Sequence, residues 1–526
     1  MKNNTATSSI YKIFKKHTAL KYCVPALIVV ATFLLLSMSH AVAYSSSDAA
    51  DSGKVPPGLN WAKNFGGPEQ DSFTSVAVDG SNFVAVGVSA EDSFGTGSWA
   101  GISGKGNDDA AIVKYDSNGN VIWAKNFGGL GNDNFESVIS VDGGYIAVGM
   151  SGANSFGNGN LTGVTGNGGN DAIMVKFDTN GSVVWAKNFG GKDNDQFTSV
   201  TAVGNGYVAV GYSGSASFGN GSLTGITGKG GEDAIMVKFD TNGSVVWVKN
   251  FGGKDDDRFT SVTADSSGYV AVGYSGQSSF GNGNWAGVSG KGNEDAIMVK
   301  FDVNGNILWN SSFGGKDDDQ FTSVTTGDSG YVAIGTSGAN SFGSGDWTGT
   351  YGMGGMDAII VNFDSDGSVV WKNLFGWGND DILYSITAFD GGYLATGSVQ
   401  GVPASNIDAV LVRFDASGTV MWGKYFAGNG IDAFTSVVAA GDGYVVVGYS
   451  YLTSFGNGDW VNVTGHGNYD ATIVEFGSNP SSNPGGNPSS NSGSSDSSIF
   501  VLVGIAAIIV VFCAVIAIAV MRGRRS

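Results

Sequence analysis

The chain repeats itself, and that limits its fold more than any other feature. Trp61, Trp123, Trp185, Trp247, Trp309 and Trp371 stand 62 residues apart, and Trp422 follows 51 residues later. Around each tryptophan nearly the same text returns, from Asp-Ala-Ile-Met-Val-Lys-Phe through Val-Val-Trp and Phe-Gly-Gly to Gly-Tyr-Val-Ala-Val-Gly. A fixed period of this kind marks units that cannot bury their own apolar faces and must stack on one another. Each copy holds four short apolar, β-branched and aromatic runs. In one copy they are 197–203, 207–212, 234–239 and 244–251, called strands a, b, c and d below. Gly, Asn and Asp break them, and Asn242-Gly243 between c and d is expected to supply the positive φ angles of a tight hairpin, as Gly206 is between a and b. Runs such as Ala172-Ile173-Met174-Val175 are apolar on both faces, as expected of a unit packed on both sides. No helical period occurs outside the two ends. The pattern predicts an all-β, seven-bladed β-propeller of four-stranded antiparallel blades at 58–476.

The phase of the repeat predicts how the ring closes. The first repeat residues, 59–65, read as a d strand with no a, b or c before it. The last, 471–476, read as a c strand with no d after it. The N-terminal strand should therefore complete the final blade and remove an open edge. Strand a recurs at Phe73, Phe135, Phe197, Phe259, Phe321, Leu383 and Phe434, which gives seven blades.

These units resemble the SBBP-type beta-propeller repeats of bacterial and archaeal surface and secreted proteins. The resemblance rests on the Asp-Ala-Ile-Met-Val-Lys-Phe-Asp-x-Asn-Gly-Ser-Val-Val-Trp core (171–185, 233–247), on Phe189-Gly190-Gly191 and on 206–211. It covers about 58–476 and implies an extracellular propeller with no single assigned activity and no catalytic residues to carry over. The chain departs from the family pattern in the b–c connection, where Ser217-Phe218-Gly219-Asn220-Gly221 replaces a Pro-containing segment.

The ends predict the compartment. Residues 1–43 combine Lys2, Lys12, Lys15, Lys16 and Lys21 with an apolar run and Ala41-Val42-Ala43. This reads as a cleaved signal peptide with an N-terminal signal helix, or alternatively as an uncleaved anchor. Residues 499–521 are apolar and uncharged over a length that spans a bilayer as a C-terminal transmembrane helix. The tail 522–526 carries three arginines, the mark of the cytoplasmic side. The Ser/Asn/Gly/Pro-rich segment 477–498 reads as a flexible stalk. The chain is thus expected to be a single-pass cell-membrane protein with an extracellular propeller. Between the two ends lie all 46 acidic residues against 19 of the 27 basic ones, a balance of −27. That charge argues against nucleic acid and suits a cationic ligand.

The chemistry a propeller of this sequence can hold is restricted. Cys23 and Cys513 fall in the terminal segments, and His466 is the single histidine of the repeats. That excludes a thiol nucleophile and a multi-histidine zinc site there. What remains is carboxylate. One Asp precedes each strand a (Asp71, Asp133, Asp195, Asp257, Asp319, Asp381, Asp432) and another opens each strand c. Two readings stand: turn-ordering carboxylates, or oxygen ligands for Ca2+, with Asp193, Asp195, Asp255, Asp257, Asp317 and Asp319 the candidate metal ligands. No organic cofactor is expected. Trp99, Trp285, Trp347 and Trp460 share one place in the b–c loops and are candidates for stacking on a glycan or anchoring a surface protein, unless they tuck onto the blade. Blade six has a shortened b–c loop together with Trp377 and Arg413. The expected function is binding or adhesion through the acidic b–c/d–a face by a monomeric propeller. The alternatives are a carboxylate-dependent glycan hydrolase or lyase and a structural component of the envelope.

Overall fold

The computed structural model describes residues 58–401 and 406–477. They form seven four-stranded antiparallel sheets, each in the order a-b-c-d. Blade three, for example, consists of Asp195–Val203, Gly206–Ser213, Asp233–Asp240 and Val245–Phe251. The strand Gly58–Phe65 pairs with Tyr469–Gly477 and completes blade seven, as the phase of the repeat predicts. The expected signal (1–43), stalk (477–498, apart from Gly477, which ends the last strand), transmembrane segment (499–521) and tail (522–526) lie outside the described residues. Among the described residues no helix is long and apolar enough to cross a membrane.

The core lies between blades. One cluster joins Ile146, Val148, Met174 and Phe189 of blade two to Phe197, Val200, Ile235 and Phe239 of blade three, and the pattern repeats around the ring. This is why Ala172, Ile173, Met174 and Val175 are all buried whichever way they point.

The Phe-Thr-Ser-Val text of strand a now has a reason. The threonine is a bulge residue, skipped in the pairing with strand b. Its hydroxyl donates across the blade boundary to the phenylalanine (or leucine) carbonyl of the next strand a. These bonds run from Thr74 to Phe135 (2.7 Å), Thr198 to Phe259 (2.8 Å), Thr260 to Phe321 (2.7 Å), Thr322 to Leu383 (2.6 Å) and Thr435 to Phe73 (2.7 Å). The following serine accepts from the next blade's backbone, as Ser199 does from Val262 N–H at 3.3 Å. Strand a is therefore the inner strand, and the seven form a hydrogen-bonded ring around a central channel. On the outside, six of the d-strand tryptophans, Trp61 to Trp371, reach the next blade's c–d turn. Trp123 donates to the Thr179 carbonyl (3.2 Å), and its ring fills the space that a side chain at Gly181 would need.

Two turn expectations need correction. In the c–d turn only Gly243 has a positive φ (+75°), not Asn242. Asp240 accepts from Asn242 N–H and Ser244 N–H, and the pairing shifts by one residue between Lys238 and Phe239, so the turn is a bulged hairpin rather than a two-residue one. Gly206 is needed for close approach rather than for turning: a Cβ there would lie 2.0 Å from the Phe239 carbonyl oxygen. The positive φ of the a–b turn belongs to Gly204.

Both described chain ends, Gly58 and Gly477, leave from the a–b/c–d face. The b–c/d–a face carries neither. Deleting residues 58–65 should cost at least about 3 kcal/mol of stability, since burying Phe65 alone is worth roughly 1.5–3 kcal/mol, and should leave Tyr469–Gly477 as an open edge that associates. Thermal unfolding with light scattering checks this; a monomer of unchanged melting temperature would show the closure to be dispensable.

Candidate functional site

The repeated aspartates come first, because the b–c/d–a face is built on them. All seven residues that open strand a are fully buried. Asp195 Oδ2 accepts from Gly191 N–H (2.8 Å) in the d–a turn and from Ser217 Oγ (2.8 Å) in the b–c loop. Asp71, Asp133, Asp257, Asp319 and Asp432 repeat the arrangement with Ser93, Ser155, Ser279, Ser341 and Ser454. The glycine pair after five of the seven d strands permits it. A Cβ on Gly190 would lie 2.4 Å from Asp195 Oδ2, and one on Gly191 would lie 2.2 Å from the Ser217 carbonyl oxygen. Burial pushes these carboxyls up against their hydrogen bonds, to about 6 at Asp71, Asp133, Asp195, Asp257 and Asp319 and to about 7 at Asp381.

The six candidate metal ligands divide into two groups. Asp195, Asp257 and Asp319 are the buried latches just described. Asp193, Asp255 and Asp317 face the next b–c loop instead, where they accept from Ala216 N–H (3.4 Å), Ser278 N–H (3.2 Å) and Asn340 N–H (3.3 Å). Among the described residues no group of three or more His, Cys, Asp or Glu side chains converges on a metal position.

The four loop tryptophans are corrected outright as ligand residues. Trp99, Trp285, Trp347 and Trp460 are 0% exposed. Each stands edge-on to the last phenylalanine of a d strand at about 5 Å, and each indole N–H is bonded inside the blade, Trp285 to Ser275 Oγ at 2.9 Å for example. Leu161 and Leu223 fill the same buried place, so the Trp/Leu exchange in the sequence signals core.

Blade six shows what happens without that loop. Trp377 stands where six blades have the second glycine of the pair, and it packs edge-on against Phe375 (5.3 Å, 82°) as the loop tryptophans do in other blades. It remains 44% exposed and meets Tyr425 at 5.3 Å. Arg413 is buried; its guanidinium donates to the Asp390 and Phe414 carbonyls and does not line a gap.

The feature missed in the sequence is the mouth of the central channel. Copies that agree almost everywhere differ where they line it. The second residue of strand a is Ser72, Asn134, Gln196, Arg258, Gln320, Ile382 and Ala433 in turn. The inner-ring threonine becomes Glu136 in blade two and Tyr384 in blade six. These substitutions bond to one another. Glu136 Oε1 accepts from Asn134 Nδ2 (2.7 Å) and Gln196 Nε2 (2.8 Å), and Tyr212 OH donates to Gln196 Oε1 (2.9 Å). Arg258 pairs with Glu232 and lies 4.2 Å from the centre of the Tyr212 ring. Gln320 Nε2 donates to Glu294 (2.9 Å). The other side of the mouth is aromatic: Tyr449 and Tyr451 pack on Tyr469 at 5.7 and 4.9 Å, and Tyr384 OH lies 3.3 Å from Ser398 Oγ. Burial raises the Glu136 carboxyl and pushes Tyr274 and Tyr449 up to about 12. Aligning the seven copies and marking where they disagree would have found this site.

No family model matches the chain. The regulatory protein FlaEY of Caulobacter vibrioides is 24% identical over 216 residues, which cover 39% of this chain and 20% of that protein. The chain thus spans a fifth of the length of this curated relative. Among solved structures, a quinohemoprotein alcohol dehydrogenase from Comamonas testosteroni is 11% identical over 86% of this chain and 80% of that one, with a TM-score of 0.40. The WD40 propeller domain of Doa1 is 10% identical over 79% and 97%, with a TM-score of 0.38. BamB from Moraxella catarrhalis is 14% identical over 77% and 86%, with a TM-score of 0.32. At these scores none of the structural likenesses bears on what this chain does.

Two outcomes are expected. Asp195→Ala should cost about 2–3 kcal/mol, because it orphans a buried N–H and a hydroxyl, whereas Asp195→Asn keeps an acceptor and should cost under about 1 kcal/mol; urea unfolding distinguishes them. The latch carboxyls also set a pH dependence. Their folded values lie above the ordinary 3.8, so the folded state holds protons that the unfolded state releases, and stability falls as pH rises through about 6 to 7. Asp79 has the opposite sign: hydrogen bonds from Lys114 and Tyr145 lower it, and its contribution is lost in acid. The melting temperature should therefore peak near about pH 4 and fall as pH rises to about 7, which a calorimetric pH series checks.

Proposed function

We propose that this chain is a non-enzymatic binding propeller, displayed on the cell surface by its C-terminal segment, that recognises a partner at the channel mouth of the b–c/d–a face. One observation carries the reading: near-identical copies diverge at the mouth into an ordered, asymmetric network, where symmetric drift would leave unconnected side chains. Glu136, Glu232, Asp256, Glu294 and Asp318 lie in or beside it around Arg258, an acidic excess that suits a cationic group on the partner. The aromatic half offers Tyr449 and Tyr469 as rigid contact area. The repeats read as SBBP-type, and the segments 1–43 and 499–521 support export and a single membrane anchor. The non-catalytic reading is supported by the latch carboxylates, which are repeated sevenfold and, wherever their bonds are described, spent on their own turns.

The test is binding of the full-length chain to arrays of glycans and of cationic peptides. Glu136→Gln with Arg258→Gln should lower the retained signal at least about tenfold, and Lys187→Gln on the outer strand should leave it unchanged. Binding indifferent to the mouth variants overturns the reading. So does glycan hydrolysis that disappears when a single carboxylate of this face is replaced.

A further inference from the structure

On the opposite face a Lys–Asp–Tyr unit recurs between blades, and one groove has it without the acid. At the boundary between blades one and two, Asp79 Oδ2 receives Lys114 Nζ (2.7 Å) and Tyr145 OH (2.7 Å). Between blades four and five, Asp265 Oδ2 receives Lys300 Nζ (2.8 Å) and the Tyr331 hydroxyl, and Lys300 also donates to Tyr331 OH (2.8 Å). A carboxylate held by a lysine from one blade and a tyrosine from the next is thus a unit this repeat builds readily.

At the boundary between blades three and four the lysine and tyrosine are present without the carboxylate. Lys238 Nζ donates to Tyr269 OH at 3.1 Å, but the residue matching Asp79 and Asp265 is Val203. Among the described residues Lys238 has no ion pair. Lys238, Tyr269 and Val203 line an open groove of about 740 Å3. Blade two also has valine at this place, Val141, but there Lys176 and Tyr207 share no hydrogen bond, so of these two grooves with valine in place of the acid only the third has its donor pair assembled.

The rest of the lining narrows the ligand. Val246 and Val303, 56% and 49% exposed, give the groove an apolar wall suited to a C–H-rich ring face. Asp240 and Asp265 stand on the same groove. Asp240 Oδ1 holds its own turn and its second oxygen keeps acceptor capacity for a hydroxyl, whereas both oxygens of Asp265 are engaged, by Ser267 and Gly268 and by Lys300 and Tyr331; both carboxylates repel a second anionic group. We propose that the groove between blades three and four binds a polyhydroxylated monocarboxylate of hexuronate type. Its carboxylate takes the place that Asp79 and Asp265 occupy in their own grooves, between Lys238 and Tyr269. This site is independent of the channel mouth: it lies on the other face and shares no residue with it.

The experiment is equilibrium dialysis of the detergent-solubilised full-length protein with radiolabelled glucuronate. Glucose serves as the neutral counterpart, glucarate as the dianion and N-acetylglycine as a carboxylate without a sugar ring. Saturable binding in the millimolar range or tighter is expected, with each of the three other compounds competing at least about tenfold more weakly. Lys238→Met should weaken binding by at least about tenfold. Val203→Asp should do the same, because it supplies the carboxylate internally as blades one and four do, and its melting temperature should not fall below that of the unaltered protein. Absence of saturable glucuronate binding, equal binding of glucose, or full binding by a folded Val203→Asp variant overturns the proposal. Equal binding of N-acetylglycine or glucarate overturns the sugar-acid assignment.

Discussion

Most of the architecture depends on a carboxylate sealed at the start of an inner strand. Asp195 and its equivalents draw three separate pieces of chain to one point: the end of a d strand, the beginning of the next a strand and the serine of a b–c loop. The approach is closer than any side chain on the intervening glycines would allow. A carboxylate in such a place is costly unless its donors are fixed, and here they are supplied by turns that the same carboxylate orders. The latch therefore recurs with the blade. Where the b–c loop is cut short, at blade six, the glycine requirement lapses and Trp377 appears in its stead.

A second constraint acts at the axis. Five threonines bond each inner strand to the next, and the two exceptions, Glu136 and Tyr384, stand where the copies begin to differ. The ring is thus uniform where it must hold together and individual where its lining faces the channel. The same division is found on the opposite face, where the Lys–Asp–Tyr unit is complete in two grooves and lacks its acid in a third. In a repeat protein the departures from the repeat are the informative residues, because the bulk of the text is already explained by packing.

Fold and closure are legible in the order of residues along the chain. The period fixes the blade, the four runs fix its strands, and the leading d and trailing c strands can satisfy their edges only by pairing with each other, as Gly58–Phe65 and Tyr469–Gly477 do. The candidate site was much less legible. Trp99, Trp285, Trp347 and Trp460 sit among glycines and polar residues, which leaves both an exposed ligand-stacking role and a place tucked onto the blade open; all four are buried. Local composition does not report burial when a loop folds back onto its own blade. The acidic pairs allow a metal-ligand reading because Asp193 and Asp195 are close in sequence; Asp193 lies in the turn before the strand and accepts from Ala216 N–H, while Asp195 opens the strand and accepts from Gly191 N–H and Ser217 Oγ, so each carboxylate is taken up by a different backbone or hydroxyl donor.

What the sequence determined alone is what depends on order along the chain: the number of blades, their strands, the ring closure and the lack of thiol and multi-histidine chemistry in the repeats. The tertiary structure decided which side chains from different copies meet. Glu136 with Gln196, Tyr212 with Arg258, and Lys238 with Tyr269 are pairs from adjacent blades, 31 to 60 residues apart. Their contact arises from the radial packing of one blade on the next, a geometry that no spacing within a single repeat encodes.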